Sequence, residues 1–462
     1  MREVIRKFRA NLTEYRMLSE GDIVVAAISG GADSMVMLHL LNGLRKDLAI
    51  EVVVAHLNHN LRGRESLRDF DFVKAAAGRL GMRFAGRTLK KGALKAGRIS
   101  LQEAAREKRQ RFLLSIAKKY GAKRIALGHT ANDQAETILM RLIKGSSLSG
   151  LKGISPKRDA FIRPLMGITR AEVEAFAKKN GIKYVVDSSN LTTKYLRNDV
   201  RLKLVPYLKR RYNPNIIETL SRTAAVLREE DDFIGSEAEK AYSRAILSRE
   251  EGVVTLSREV LSRLHKAVLA RVLLKATGSL AANPEAYGGH FKSFSDIVNG
   301  KDPSASLKLP GRLRVIREYG KVIITTGKED AKKPFKAVML KAPGVTRING
   351  GYFIAEVIET VPETLEKGER VAYFDAAVLG LPLRVRPFMP GDRIAPFGMK
   401  GHKKVKDLFI DKKVPLRERG SIPLVTSDKD VLWIAGVRRS DLFKAEKGGG
   451  RALRVEWVSG KG

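Results

Sequence analysis

Six residues near the start of the chain, Ser29-Gly30-Gly31-Ala32-Asp33-Ser34, have the make-up of an anion cradle. Two glycines let backbone amides come close to a bound group, and two hydroxyls and an acid stand beside them. The same six residues also describe an ordinary strand-to-helix turn. There is no GxxxxGK(S/T) and no GxGxxG with an acidic partner, so neither a Walker-type NTPase nor a dinucleotide site is supported. Farther on, Asp133 and Glu136 stand three apart, which places two carboxylates on one helix face. Such a pair either receives cationic groups or complements the helix dipole. Between Tyr195 and Arg211 the chain carries Arg197, Arg201, Lys203, Lys209, Arg210 and Arg211 against a single acid, Asp199. That is a solvated basic face or a groove for a polyanion backbone, with Tyr195 available to stack a base. Lys403 and Lys404 belong to a second basic stretch, Lys400 to Lys413.

The elements that must position these residues alternate. Ile23 to Ile28 is a buried-strand run that ends in the glycine turn, and Met35, Val36, Leu38 and Leu41 then recur at helical spacing. Ile50 to Ala55 is a second strand run, followed by His56 and His59. A helix fits Glu65 to Leu80, and a weaker strand lies around Arg83 to Arg87. Ser100-Leu101-Gln102-Glu103 reads as a capping box that opens a helix to about Tyr120. Arg124 to Leu127 is a strand, followed by Gly128-His129 and a helix through Arg141 whose Ile138, Leu139 and Leu142 should face the core. Ala171 to Lys179 and Ile182 to Val186 repeat the helix-then-strand pattern. The expected fold class is therefore α/β, with an N-terminal doubly wound, mostly parallel sheet, then a helical domain and a small α+β C-terminal domain. Ligands of such sheets bind beyond the carboxyl ends of the strands, which makes Ser29, His56 and His129 candidates to line one site. The expected domains are 1–215, 216–330 (mainly helical) and 331–462.

Bulk composition narrows the partners. Lys and Arg number 87 against 50 Asp and Glu, a formal net charge of +37. That excess attracts polyanions and favours nucleic acid over a merely lysine-rich surface. There is no cysteine, which excludes disulfides, cysteine zinc sites, iron–sulfur clusters and thiol nucleophiles. No apolar span suits a membrane and Met1 to Asp22 lacks an apolar signal core, so a cytoplasmic protein with no obligate protein partner is expected.

In this context SGGADS resembles the PP-loop of the ATP-pyrophosphatase superfamily, which cleaves ATP to AMP and pyrophosphate and leaves an adenylated intermediate. Further segments resemble one family within it, the bacterial tRNA(Ile)-lysidine synthases. These are Ala55 to Arg62, Gln102 to Arg111, Leu127 to Leu142, Arg163-Pro164-Leu165 with Arg170, Asp187 to Asn190 with Tyr195, Arg197, Asn198 and Arg201, and Arg384 through Gly436. The resemblance covers most of the chain and is weakest between about 230 and 375. It implies that ATP adenylates C2 of the wobble cytidine in a CAU-anticodon tRNA(Ile), after which free L-lysine displaces AMP. Ser29, Gly30, Gly31, Ala32, Asp33 and Ser34, with His56 and His129, would then bind ATP, and Asp33 would hold Mg²⁺ or orient the loop. Asp133 and Glu136 would take the two amines of lysine, and Arg106, in preference to Arg109, its carboxylate. Asp33, Asp133, Glu136 and Arg106 form the expected catalytic set. Tyr195, Arg197, Arg201, Arg210, Lys403 and Lys404 are the expected tRNA contacts. The alternatives are another adenylating tRNA-modifying enzyme of the superfamily, whose thiolases need the cysteines absent here, or a non-catalytic RNA-binding protein.

Overall fold

The computed structural model describes residues 2–60, 63–90, 92–93, 101–185, 196–280, 289–302, 304–327, 335–364, 369–428 and 430–460. It divides into two compact units, Met1–Phe233 and Ile234–Gly462. The first is built from α1 (Arg2–Glu14), β1 (Ile23–Ala27), α2 (Ala32–Leu44), β2 (Glu51–Asn58), α3 (Arg64–Arg79), β3 (Arg83–Thr88), α4 (Leu101–Tyr120), β4 (Arg124–Leu127), α5 (Ala131–Ile143), α6 (Leu148–Leu151), β5 (Lys157–Arg158), β6 (Phe161–Ile162), α7 (Arg170–Lys179), α8 (Leu196–Asp199) and α9 (Val205–Arg211). The division between units falls inside α10 (Ile216–Ala245).

Six strands form one sheet in the order β3-β2-β1-β4-β6-β5, parallel except for the edge strand β5. The period of two along β1 explains the layers. Val24 and Ala26 join Phe8, Met35, Leu38, Val73 and Val173 in a core under α1, α2, α3 and α7. Val25 turns the other way, with Val53, Phe112, Leu113 and Ile116, under α4. Burial on both faces is what makes β1 and β2 read as unbroken apolar runs.

Two sequence expectations differ. Ile182 to Val185 adds no strand to the sheet, because β1 is already flanked by β2 and β4. The segment instead runs beside the glycine turn, where Val185 N donates to the Gly30 carbonyl at 2.9 Å. In α5, Ile138 and Leu139 are buried, but Leu142 is 60% exposed in the last turn, past the cluster of Ala131, Ala135, Leu139, Val200, Val205 and Ile217 that holds the helix. The capping box at Ser100 lies outside the described residues.

In the second unit β7 (Ile246–Glu250), β8 (Val253–Ser257), β9 (Ser304–Lys308), β10 (Arg314–Glu318) and β11 (Lys321–Thr325) make an antiparallel sheet in the order β7-β8-β11-β10-β9. Leu261, Leu269, Leu273 and Phe294, from α11 (Arg258–Ser262), α12 (Lys266–Gly278) and α13 (Phe291–Asn299), share its core. The C-terminal part holds two more antiparallel sheets of five and four strands, with Trp433, Phe353 and Phe374 fully buried.

Candidate active site

The glycine turn closes on itself through its hydroxyls. Ser34 Oγ donates to the Gly31 carbonyl at 2.9 Å and accepts from Ser29 N at 3.2 Å, and the two serine oxygens lie 3.1 Å apart. Gly30 has φ +96°, a left-handed backbone that only glycine takes without strain. Gly31 is the N-cap of α2, and no side chain caps that end, so the first amides of the helix keep their donors for an anion. Gly128, at the end of β4, allows close approach: a Cβ there would stand 3.2 Å from both Cα and N of Ser34.

Asp33, in the first turn of α2, receives Arg170 Nη1 on Oδ2 at 2.6 Å. Its Oδ1 is buried with no hydrogen-bond partner. Burial pushes this carboxyl up to about 6, with Arg170 opposing and the charge of Asp133 reinforcing. Arg170 also reaches Glu174 at 2.7 Å, and its own amide donates to Asn132 Oδ1, which ties α7 to the start of α5.

Asp133 divides its work between its two oxygens. Oδ2 accepts from Thr130 N at 2.9 Å and Thr130 Oγ1 at 3.2 Å, a capping box at the start of α5. Oδ1 faces Arg197 Nη2 at 2.7 Å. Glu136, with a side chain only 3% exposed, takes Arg197 Nε at 2.9 Å and Arg201 Nε at 2.5 Å. Arg197 and Arg201 stand at the two ends of a stretch that leaves α8 for a π turn, Val200–Leu204. Asp133 is held below the usual carboxylate range: burial works against this, but His129, Arg197, the Thr130 amide and Arg201 outweigh it. His129 is pushed down to about 4 by burial, with Arg163, Arg197 and Arg109 adding to the effect and Asp133 opposing it. Its imidazole is therefore neutral near pH 7, and its Nδ1 is buried without a partner.

The remaining predicted residues fall in different places. His56 is buried in β2, and its Nδ1 donates to the Ile28 carbonyl at 2.7 Å, a tautomer assigned from that contact. Arg106 and Arg109 are both exposed on α4. The charge of Arg109 bears on His59 and His129, and that of Arg106 on Arg163. Arg197 and Arg201, expected as tRNA contacts, meet the acidic pair. Tyr195 lies outside the described residues. Arg210 is exposed at the end of α9. In the second unit Lys403 is paired with Asp411, and Lys404 is exposed.

Sequence reading gave no role to a loop that borders this site. Arg141 Nη1 donates to the carbonyls of Gly150 at 2.5 Å and Gly153 at 3.0 Å. Gln134 reaches Lys152 O at 3.3 Å and accepts from Ile154 N at 2.6 Å. Arg228 holds the carbonyls of Lys152 and Ile154, each at 3.2 Å, and Arg163 that of Ser155 at 2.7 Å. Nothing local in the sequence signals these bonds, because their partners in the loop are main-chain groups.

The glycine loop, the acidic pair and the histidines thus converge at the carboxyl ends of β1, β2 and β4. Comparison with known proteins agrees with that arrangement. A family profile described as the PP-loop domain matches residues 2–208, and one described as the TilS substrate C-terminal domain matches residues 383–457. The tRNA(Ile)-lysidine synthase of Caldanaerobacter subterraneus subsp. tengcongensis is 33% identical over 462 residues, covering 98% of each chain. That of Geobacter sulfurreducens is 35% identical over 466 residues, covering 99% of this chain and 98% of the relative. A crystal structure of a TilS C-terminal domain is 32% identical and covers 28% of this chain and all of its own, with a TM-score of 0.25. On these full-length relationships, the chain belongs to the tRNA(Ile)-lysidine synthase family.

Proposed function

We propose that this chain is the ATP-dependent ligase that joins free L-lysine to C2 of the wobble cytidine of a CAU-anticodon tRNA(Ile). The observation that carries the reading is the adjacency of the two half-sites. Asp33 in the phosphate loop lies within the electrostatic reach of both Asp133 and Arg201 of the acidic-pair cluster. A group activated over the loop is then open to attack by an amine held beside α5.

In the first step the C2 carbonyl oxygen attacks the α-phosphorus of ATP and the bond to pyrophosphate breaks. The amides at the start of α2 and the hydroxyls of Ser29 and Ser34 bind the departing diphosphate. In the second step an amine of lysine attacks C2, the C2–O bond breaks and AMP leaves. The surplus proton passes to a carboxylate of the acidic pair. Asp133 and Glu136 now hold two guanidinium groups, so lysine enters by exchanging its ammonium groups for those of Arg197 and Arg201, cation for cation. The residues also fit Mg²⁺: Asp33 Oδ1 is a buried carboxylate oxygen with no partner, and Mg²⁺ needs only one or two carboxylates beside phosphate oxygens. When bound there the ion would neutralise charge on the leaving pyrophosphate.

The tRNA itself would lie on basic surface such as Arg210 and Lys404. No described helix is long and apolar enough to cross a membrane, and we place the reaction in the cytoplasm with its tRNA. The test is a reaction with Mg-ATP, lysine and an unmodified CAU-anticodon tRNA. Pyrophosphate release with one base gaining a lysine is the expected result, and pyrophosphate release without lysine transfer would point to a different adenylating enzyme.

A further inference from the structure

Four buried polar atoms without hydrogen-bond partners lie along the carboxyl edge of the first sheet: Asp33 Oδ1, His59 Nδ1, His129 Nδ1 and Arg163 Nε. The first three follow β1, β2 and β4. Arg163 follows β6 and has been given no role in the chemistry. The β4–β6 register pairs Ile125 with Phe161 and Ala126 with Ile162, which sets Arg163 level with Leu127, two residues before His129.

Arg163 is 9% exposed, and its backbone is fixed by the bond from its amide to the Pro156 carbonyl at 2.8 Å. One guanidinium nitrogen is satisfied by Ser155 O, while Nε has nothing. No carboxylate lies within ion-pair distance of it among the described residues. Burial, reinforced by the charges of Arg106 and Arg158, both cations, pushes its guanidinium down to about 10. A buried charge without a counter-ion is costly, so such a group is kept where a ligand supplies the anion.

The position narrows which anion. The diphosphate loop belongs to β1, and β4 stands between it and β6. The acidic pair that would hold the ammonium groups of lysine is on α5, which starts directly after β4. Cation acceptors on α5 and a guanidinium without a counter-ion one strand over match an amino acid, whose carboxylate and ammonium groups need opposite partners. An RNA phosphodiester, which stays at the protein surface, suits so buried a group poorly, and the planar fork of arginine matches a carboxylate.

We propose that Arg163, with the more exposed Arg106 beside it, binds the α-carboxylate of the amino-acid substrate and so makes the enzyme select lysine over a plain diamine. This rests on lysine being the co-substrate. The test compares wild type, R163Q and R163K with lysine, with lysinamide and with cadaverine, which keep the amines and lose the carboxylate charge. For R163Q we expect the KM for lysine to rise about 10- to 100-fold, the span of a lost charged hydrogen bond. Pyrophosphate release and the KM values for ATP and tRNA should stay within about twofold of wild type. Lysinamide and cadaverine should be poor substrates of wild type and no poorer for R163Q, and R163K should recover part of the loss. If R163Q fails to fold, R163K carries the test, with its lysine KM raised severalfold while pyrophosphate release and the other KM values hold. Equal losses with lysine and lysinamide would make Arg163 merely structural. A raised KM for tRNA or ATP at unchanged lysine KM would assign it to RNA or nucleotide. Either result overturns the proposal. If wild type itself transfers no lysine, the fault lies in the proposed function and not in Arg163.

Discussion

Asp133 joins a structural cap to the chemistry proposed for it. Its Oδ2 caps α5 while its Oδ1 faces the arginines, so Asp133→Ala has two separable costs. Loss of the cap should lower stability by about 0.5–2 kcal/mol, visible in urea unfolding. Loss of the anionic oxygen should abolish lysine transfer while pyrophosphate release is at least partly retained, and transfer at the normal rate would refute the assignment of the amino-acid pocket. Asp33 offers a second test through pH. Its folded-state pKa is raised to about 6, so the proton stabilises the free protein below the unfolded value, and that stability is lost as pH rises through about 6. In the proposed mechanism metal and nucleotide need the ionised form. The kcat/KM for Mg-ATP should therefore fall as pH drops below about 6, and Asp33→Asn should remove that limb along with most of the activity. His129, held down to about 4, should contribute no titration between pH 5 and 8.

At the scale of elements, the site depends on how closely β4 ends against the start of α2. Gly128→Ala would set a methyl 3.2 Å from backbone atoms of Ser34, which cannot swing aside as a side chain can. We expect a loss of about 1–3 kcal/mol from overpacking and a KM for ATP raised at least severalfold, with the lysine KM much less affected; steady-state kinetics separate the two. This level was also the most legible in the sequence. β1, β2 and β4 stand out because both faces are buried, and their ends locate Ser29, His56 and His129 without any long-range knowledge. Ile182 to Val185 was misread because an apolar run carries no record of whether a neighbouring strand has a free edge. The pairing of Arg197 and Arg201 with Asp133 and Glu136 was hidden for a different reason. Locally those arginines sit among Lys203, Lys209 and Arg210 and look like solvated basic surface, and their partners lie more than sixty residues away. The bond from Arg170 to Asp33 spans 137 residues and was equally invisible.

For the whole molecule the excess of 37 positive charges predicts a sharp division among substrates. Raising monovalent salt from about 50 to 200 mM should weaken tRNA binding by a factor of ten or more, because counterion release scales with the phosphates contacted. Lysine and ATP, which the proposed mechanism puts in a partly buried site, should lose far less over the same range, and KM values measured at both salts decide the matter. Salt-insensitive tRNA binding would mean that the basic surface is not what holds the RNA. Within the first unit the loop at Gly150 to Ser155 has another consequence. It is clasped by donors from α5, β6 and α10, but every acceptor they use is a carbonyl that any amino acid possesses. Ile154 can thus be exchanged without breaking the clasp, whereas Lys152 also pairs with the buried Asp231 of α10 at 2.6 Å, and Gly153 turns at φ +70° with the Gln134 amide 2.5 Å from where a methyl would stand. Tolerance to substitution in this loop and intolerance in the four side chains that hold it are two faces of the same architecture: a latch whose keyhole is written in peptide bonds and whose keys are written in side chains.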